Sequence, residues 1–302
     1  MSCVDPLLHR SYLYAPGNSS KIMRRAIVAG ADAVVLDLED AVANAVKGDA
    51  RVEVAALLEE RVVEGQVLSE ARTDAPDIHV RVNRQGPAYD PRDLDAIVRP
   101  GLQAIRLPKA ESPEAIVAVA NALAERERAA GLPVGSIGLY PTIESAAGAV
   151  RIAELAVASQ RVVRFALGTA DLLADLGAHG DDDLATLHIR SQLVLHSRAA
   201  GIGPPVDSVF TNLDDPGGLR RQAVRARALG FHGKSVIHPR QLGPVHEVFT
   251  PSEDDVAHAE RVLAALDGAD ADHRGAIAVD GTFVDTAVAR RARAVLRLRS
   301  SS

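Results

Sequence analysis

The stretch AVVLDLED (33–40) carries an apolar, strand-like run straight into three carboxylates, Asp37, Glu39 and Asp40. A buried strand ending in that much negative charge needs a cation or a polar ligand to answer it. Other apolar runs end in the same polar way: SYLYAP leads to Gly17 and Asn18, VRVN carries Arg81 and Asn83, LPK ends in Lys109, PTIE in Glu144, ALGTAD in Gly168, Thr169 and Asp171, and VIHP in His238. Two carboxylates, Glu144 and Asp171, with open remaining positions suit Mg²⁺, which keeps waters and takes oxygens from a substrate. Each alone also reads as the cap of the helix pattern that follows it; as a pair ending neighbouring strands they favour the metal. Arg81, permanently charged, can hold a substrate oxygen and stabilise charge developing on it. A buried ion pair with Glu39 or Asp40 is its competing role, and both hold together if the pair orients the guanidinium. Asn83, two residues on, is expected on the same side as Arg81. The first loop, APGNSSKIMRR, offers Gly17, amides at a helix start and then Lys21, Arg24 and Arg25. That arrangement suits a phosphate, although it matches no Walker or dinucleotide fingerprint. Five histidines, His188, His196, His232, His246 and His258, show no metal-ligand spacing and read as ordinary surface or core residues.

These residues need a scaffold that brings strand ends together. Eight apolar runs alternate with helical patterns: 11–16, 33–39, 78–83, 104–109, 138–144, 162–168, a weaker 205–210, and 233–239. They read as continuous apolar runs, the mark of a parallel sheet covered on both faces. Ser112-Pro113-Glu114 gives one helix a Ser N-cap followed by Pro at the first helical position. Eight strand–helix units in about 250 residues predict an α/β fold of the TIM (β/α)8 type. In such a barrel the active face gathers at the C-terminal ends of the strands. Residues 1–250 are assigned to the barrel. Residues 251–302 read as a helix–hairpin–helix appendage, a lid rather than an independent domain, and its basic end RRARAVLRLRSSS reads as a solvated face.

Composition narrows the functional classes. The 302 residues are 47% hydrophobic and 25% charged, with a formal charge of −6, which suits a globular protein with a large core and argues against nucleic-acid binding. Aromatics make up 3% with no Trp, too few for a base-stacking platform. The single cysteine, Cys3, rules out a disulfide framework or a cysteine-based zinc site and fits a reducing cytoplasm. No signal pattern or membrane-length apolar run is present, so the sequence reads as cytoplasmic.

The ordered series YAPGN…K, GADAVVLDLEDAV with Lys47 and Arg51 after it, VRVN, LPK-ES, PTIES, ALGTADLLADLGA and GKSVIHPRQ, spanning residues 11 to about 290, resembles the citrate lyase beta-chain-like group of the HpcH/HpaI aldolase superfamily, which includes malyl-CoA and citramalyl-CoA lyases. The resemblance implies an Mg²⁺-dependent TIM barrel, a trimer or hexamer, that cleaves or forms a carbon–carbon bond beside a thioester. It puts the metal on Glu144 and Asp171, the active-site arginine on Arg81 and the acidic pair after the second strand on Glu39 and Asp40. It also implies that CoA phosphates meet Lys21 with Arg24 or Arg25, and that Asp285 in GTFVDTAV is the lid carboxylate, an acid/base that completes a neighbouring subunit's site. The sequence departs from the group's pattern at Ala170, where a Glu is usual, and at Ala287, where a Pro is usual. The expected activity is therefore cleavage or formation of a β-hydroxyacyl-CoA such as malyl-CoA or citramalyl-CoA, with a keto acid or glyoxylate as the other partner. Alternatives are a citrate lyase beta subunit working on an acyl carrier protein within a complex, an aldolase or hydrolase acting on a free hydroxy acid, and a barrel that binds without turnover.

Overall fold

The structure, a computed structural model, describes residues 9–68, 75–179, 182–271, 277–279 and 282–299; Cys3 lies outside them. Strand β1 (Ser11–Pro16), helix α1 (Ser20–Ile27), β2 (Ala33–Asp37), α2 (Lys47–Leu68) and β3 (Asp77–Arg81) open the chain. A short hairpin, β4 (Arg84–Gln85) and β5 (Ala88–Tyr89), precedes α3 (Pro91–Ile97), β6 (Ala104–Leu107), α4 (Pro113–Ala129) and β7 (Gly138–Ile143). Then come α5 (Ala146–Ala149), α6 (Ile152–Ala156), β8 (Ala166–Leu167), α7 (Thr169–Leu176), α8 (Asp182–Ala200), α9 (Pro216–Leu229), β9 (Lys234–Val236) and α10 (Leu242–Phe249). The chain finishes with α11 (Glu253–Ala271), the hairpin strands β10 (Ile277–Val279) and β11 (Thr282–Val284), and α12 (Thr286–Arg299). As the sequence predicts, Ser112 caps α4, its hydroxyl accepting from Ala115 N at 3.2 Å.

Seven strands form one parallel sheet in the order β8-β7-β6-β3-β2-β1-β9. Isolated parallel bridges, Ala166 to Val206 and Asp207 to Lys234, link its two edge strands. Alternation divides the strand residues between two buried faces. Leu13, Val34, Leu36, Ile78, Val80, Ile105 and Leu139 pack beneath the helices. Tyr12, Ala33, Val35, Ala104, Tyr140, Ala166 and Val206 meet one another on the other, inner face.

The sequence's sixth and seventh runs are much shorter in the sheet than expected. The sixth retains only Ala166–Leu167 as strand, with Val162 in a lone bridge to Leu139. The seventh supplies only Val206 and Asp207. Gly203 N and Val206 N still donate to Val163 O and Phe165 O, both at 2.8 Å, but the intervening Pro204 and Pro205 have no N–H to offer a ladder. Side chains add to the hold on this stretch. Arg164 Nε donates to Pro204 O at 2.6 Å, and fully buried Asp207 accepts from Arg190 and Lys234, each at 2.5 Å.

Helices α11 and α12 pack with the second hairpin around Ala259, Val262, Val284 and Ala292. An Arg227–Asp255 ion pair at 3.2 Å links α11 to α9.

Candidate active site

The register of β2 and β3 builds the centre of the site. Asp37 and Arg81 are paired residues at the C-terminal ends of adjacent strands, so their side chains project side by side on the inner face. Asp37 grips the guanidinium with both oxygens, at 2.7 Å from Nε and 2.6 Å from Nη2. It also accepts from Glu39 N and Ala41 N at 2.9 and 3.0 Å. The outer edge of Arg81, Nη1, lies 3.0 Å from Glu39 Oε2 and 3.2 Å from Asp40 Oδ2, and the Tyr14 ring sits 5.4 Å from the guanidinium carbon. This bidentate anchoring fixes the plane of the guanidinium, while Glu39 and Asp40 hold its outer edge. The Arg81 ion pair is therefore real, but its main partner is Asp37 rather than Glu39 or Asp40. Strand alternation at β2, set against Arg81, is the sequence signal for Asp37.

Glu144 follows β7 and Asp171 lies in the first turn of α7, just after β8; these strands are neighbours. Burial pushes the Glu144 carboxyl up to about 7, with the Asp171 charge adding to the rise and the Lys109 amide opposing it. Glu39 is pushed further, to about 8, by burial against the pull of Arg81, with Asp40 and Glu144 reinforcing it. The site thus holds more carboxylate than Arg81 balances. Glu144 Oε1 accepts from Lys109 N at 2.7 Å, and Lys109 adopts a left-handed backbone (φ 46°) to present that amide, a strained conformation for a non-glycine residue. The other oxygen, Oε2, faces Gly168, where any Cβ would collide with the Glu144 side chain. The hydroxyls of Thr142 and Thr169 are buried in the same wall and have no hydrogen-bond partner among the described residues. Two clustered carboxylates with uncompensated charge, beside buried oxygens, fit a hard dication such as Mg²⁺.

Together these groups line a cavity of about 400 Å³ that includes Asp37, Asp40, Arg81, Glu144, Gly168, Thr169, Asp171 and Ser208. A family model described as HpcH/HpaI aldolase/citrate lyase matches residues 10–239. The chain belongs to this family. It is 34% identical over 296 residues to the citrate lyase subunit beta of Leuconostoc mesenteroides subsp. cremoris, covering 98% of this chain and 94% of that protein. It is 32% identical to the L-malyl-CoA/beta-methylmalyl-CoA lyase of Cereibacter sphaeroides, covering 96% and 94%. Both relatives are carbon–carbon lyases. The crystal structure of CitE from Mycobacterium tuberculosis in complex with magnesium, acetoacetate and coenzyme A superposes with a TM-score of 0.74 at 31% identity, covering 97% and 98% of the two chains.

In this member of the HpcH/HpaI family several motif residues serve the scaffold. Asn83 does not project into the cavity beside Arg81. Its side chain donates to Leu38 O and Asp93 Oδ2 at 2.8 and 2.9 Å and accepts from Lys47, because the strand ends at Arg81 and the chain turns into the β4–β5 hairpin. Arg51 completes this bracket on Asp90 and Asp93 at 2.9 and 2.6 Å. Gly17 is needed for close approach: its N–H donates to Asp37 O at 2.8 Å, and a Cβ there would come within 2.8 Å of the same carbonyl. Asn18, Lys21 and Arg25 are exposed, as is Arg24, which pairs with Glu60 at 2.8 Å; none of the four is among the residues lining the cavity. His238 caps the turn that follows β9, accepting from Arg240 N at 3.1 Å. Asp285 is also outside the cavity wall. Its carboxylate accepts from Ala287 N and Val288 N at 2.8 and 3.0 Å and caps α12. Ala170 is exposed at the start of α7. Among the described residues, no helix is long and apolar enough to cross a membrane.

Proposed function

We propose that the protein is an Mg²⁺-dependent carbon–carbon lyase that cleaves or forms a β-hydroxyacyl-CoA such as malyl-CoA or citramalyl-CoA, with acetyl-CoA and glyoxylate or a keto acid on the other side of the reaction. The observation that carries this reading is the convergence, in one cavity, of an arginine clamped on Asp37 and the carboxylates Glu144 and Asp171. Glu144 and Asp171 would hold the metal, which when bound supplies a Lewis acid for the oxygen that becomes the new carbonyl. Arg81, held rigid by Asp37, offers its remaining edge to the charge that develops on the thioester oxygen. Glu39 and Asp40 restrain that edge until a substrate takes their place. Catalytic proton exchange at the substrate hydroxyl falls to Asp285 of a neighbouring subunit, with residues 251–302 acting as the lid over a (β/α)8 barrel formed by residues 1–250. This assignment is motivated by the lid motif and supposes a homotrimer or hexamer. Gly17, Asn18, Lys21, Arg24 and Arg25 at the start of α1 then receive CoA phosphates, and the barrel works in the cytoplasm.

The test uses purified protein, Mg²⁺ and acetyl- or propionyl-CoA, with glyoxylate, pyruvate or oxaloacetate added in turn and an EDTA control. Mass spectrometry should show a metal-dependent malyl-, methylmalyl- or citramalyl-CoA. The match to citrate lyase beta subunits along nearly the whole chain favours one second reading, a subunit whose thioester sits on an acyl carrier protein. Silence with every CoA substrate, together with turnover of citryl-acyl carrier protein, would select it.

A further inference from the structure

At the opposite, N-terminal ends of the strands, His9, Asp77 and His79 each bring one ligand atom within 4.8 Å of the others. His9 Nε2 stands 3.3 Å from Asp77 Oδ2. His79 is 1% exposed, and its Nδ1 has no hydrogen-bond partner among the described residues. Asp77 and His79 line a cavity of about 510 Å³, separate from the active site, together with Gln103, Gly138 and Tyr140. The Asp77 side chain keeps 24% of its surface open, so a small ion has a way in.

We propose that His9, Asp77 and His79 form a second metal site, for a transition dication of the Zn²⁺ class. Two imidazoles and a carboxylate, with water in the fourth position, make a recurrent donor set for that ion, with bonds of about 2.0–2.1 Å. Reaching that length is a matter of side-chain adjustment at three neighbouring groups. Mg²⁺ is disfavoured here, because it relies on oxygen ligands in octahedral array. The surroundings sharpen the discrimination. The guanidiniums of Arg106 and Arg164 face His79, opposing any cation held by charge alone, whereas Zn²⁺, Co²⁺ and Ni²⁺ gain bond strength from imidazole nitrogen. The site joins β3 to the segment before β1, two elements separated in the sheet by β2. A bound ion therefore acts as a staple across the strands' N-terminal ends and stabilises the folded state by mass action. This inference stands independently of the activity proposed above.

The test uses the full chain carrying Glu144→Gln and Asp171→Asn, which silences the upper carboxylate pair. Co²⁺ is titrated in the presence of excess Mg²⁺ and followed by visible absorption, and Zn²⁺ is followed by thermal shift. One Co²⁺ per chain with nitrogen-ligand bands, displaced by Zn²⁺ and lost on adding His79→Gln, is expected. Should His79→Gln fail to fold by circular dichroism, His9→Gln and Asp77→Asn serve in its place. No stoichiometric Co²⁺ binding, or binding that survives all of these substitutions in folded protein, overturns the proposal.

Discussion

The two ends of the sheet's inner face share a strand framework but carry opposite charge. At the C-terminal ends, Asp37, Glu39, Asp40, Glu144 and Asp171 surround one clamped arginine, Arg81. One layer below, Arg106 lies between the rings of Tyr12 and Tyr140, 4.3 and 4.4 Å from their centroids, and none of its nitrogens has a hydrogen-bond partner among the described residues. Arg164 donates there to the Tyr12 hydroxyl at 2.7 Å. A two-residue step along each strand separates the layers: His79 from Arg81, Tyr12 from Tyr14, Tyr140 from Thr142. Side-chain choice at successive inward positions thus divides a carboxylate-rich mouth from an aromatic interior that holds two arginines. Charge in the mouth is met by ion pairs and hydrogen bonds; in the interior Arg164 is hydrogen-bonded, while Arg106 rests on ring faces.

Removing the clamp tests the contrast most severely. Arg81→Met should abolish turnover and destabilise the fold by about 3–5 kcal/mol, because Asp37 is left buried without its partner; urea denaturation and the condensation assay measure both. Arg81→Lys should keep the fold yet lose about 10²–10³ in kcat, a point charge being unable to replace the fork. Next in size, Gly168→Ala should displace Glu144 and weaken Mg²⁺ binding, read by calorimetry, while leaving the thermal midpoint of the metal-free protein within a few degrees.

One buried group at each end, Glu39 and His232, should respond oppositely to pH. Glu39, raised from an ordinary 4.5 to about 8, binds more protons folded than unfolded, so its contribution is full below pH 4.5 and is lost as pH rises toward 8. His232, at the strands' N-terminal ends, is lowered from 6.5 to about 3 by burial, with Arg164 beside it. Its contribution is full above pH 6.5 and lost as pH falls toward 3. Denaturation midpoints of metal-free protein should fall less steeply on the alkaline side in Glu39→Gln, with Glu144, raised to about 7, keeping part of the slope, and should be unchanged on the acid side. A flattening on both sides would show that the two ends are not separate. The smallest effect is expected at Arg106→Met. Exchanging an unpartnered guanidinium for an apolar chain should leave stability unchanged or raise it by about 1–2 kcal/mol, since the desolvation relieved outweighs the cation–π attraction to the two tyrosine rings.

Legibility in the sequence follows the same divide. The polar ends of the apolar runs are readable in the mouth, and Glu144 and Asp171 fall on strands that prove to be neighbours. Asp37 is visible as charge but not as the anchor of Arg81, since that role comes from β2–β3 register. Asn83 departs from its expected direction because alternation ceases where the strand does. The interior is largely hidden: Arg106 within AIRL breaks an apolar run without announcing a partner, and His9 meets Asp77 and His79 only after distant segments of the chain come together. The seventh strand falls short of its sequence run because Pro205, the first residue of that run, and Pro204 before it offer no N–H to a ladder.

That shortened strand has a consequence for how the chain reaches its folded state. Between β8 and β9 the ring is closed by backbone hydrogen bonds through Val206 and Asp207 together with a side-chain clasp, Asp207 on Lys234 and Arg190. The clasp engages only once β9, drawn from late in the sequence, has docked on β1, a long loop closure that is entropically slow. We expect amides around 166–167 and 206–207 to gain protection last in pulse-labelled refolding, after those of β2 and β3. Glu144 and Asp171 share a cavity with Ser208 and Ser235, neighbours in sequence of the clasp residues, so the proposed metal binding should arrive with the final closure and report it.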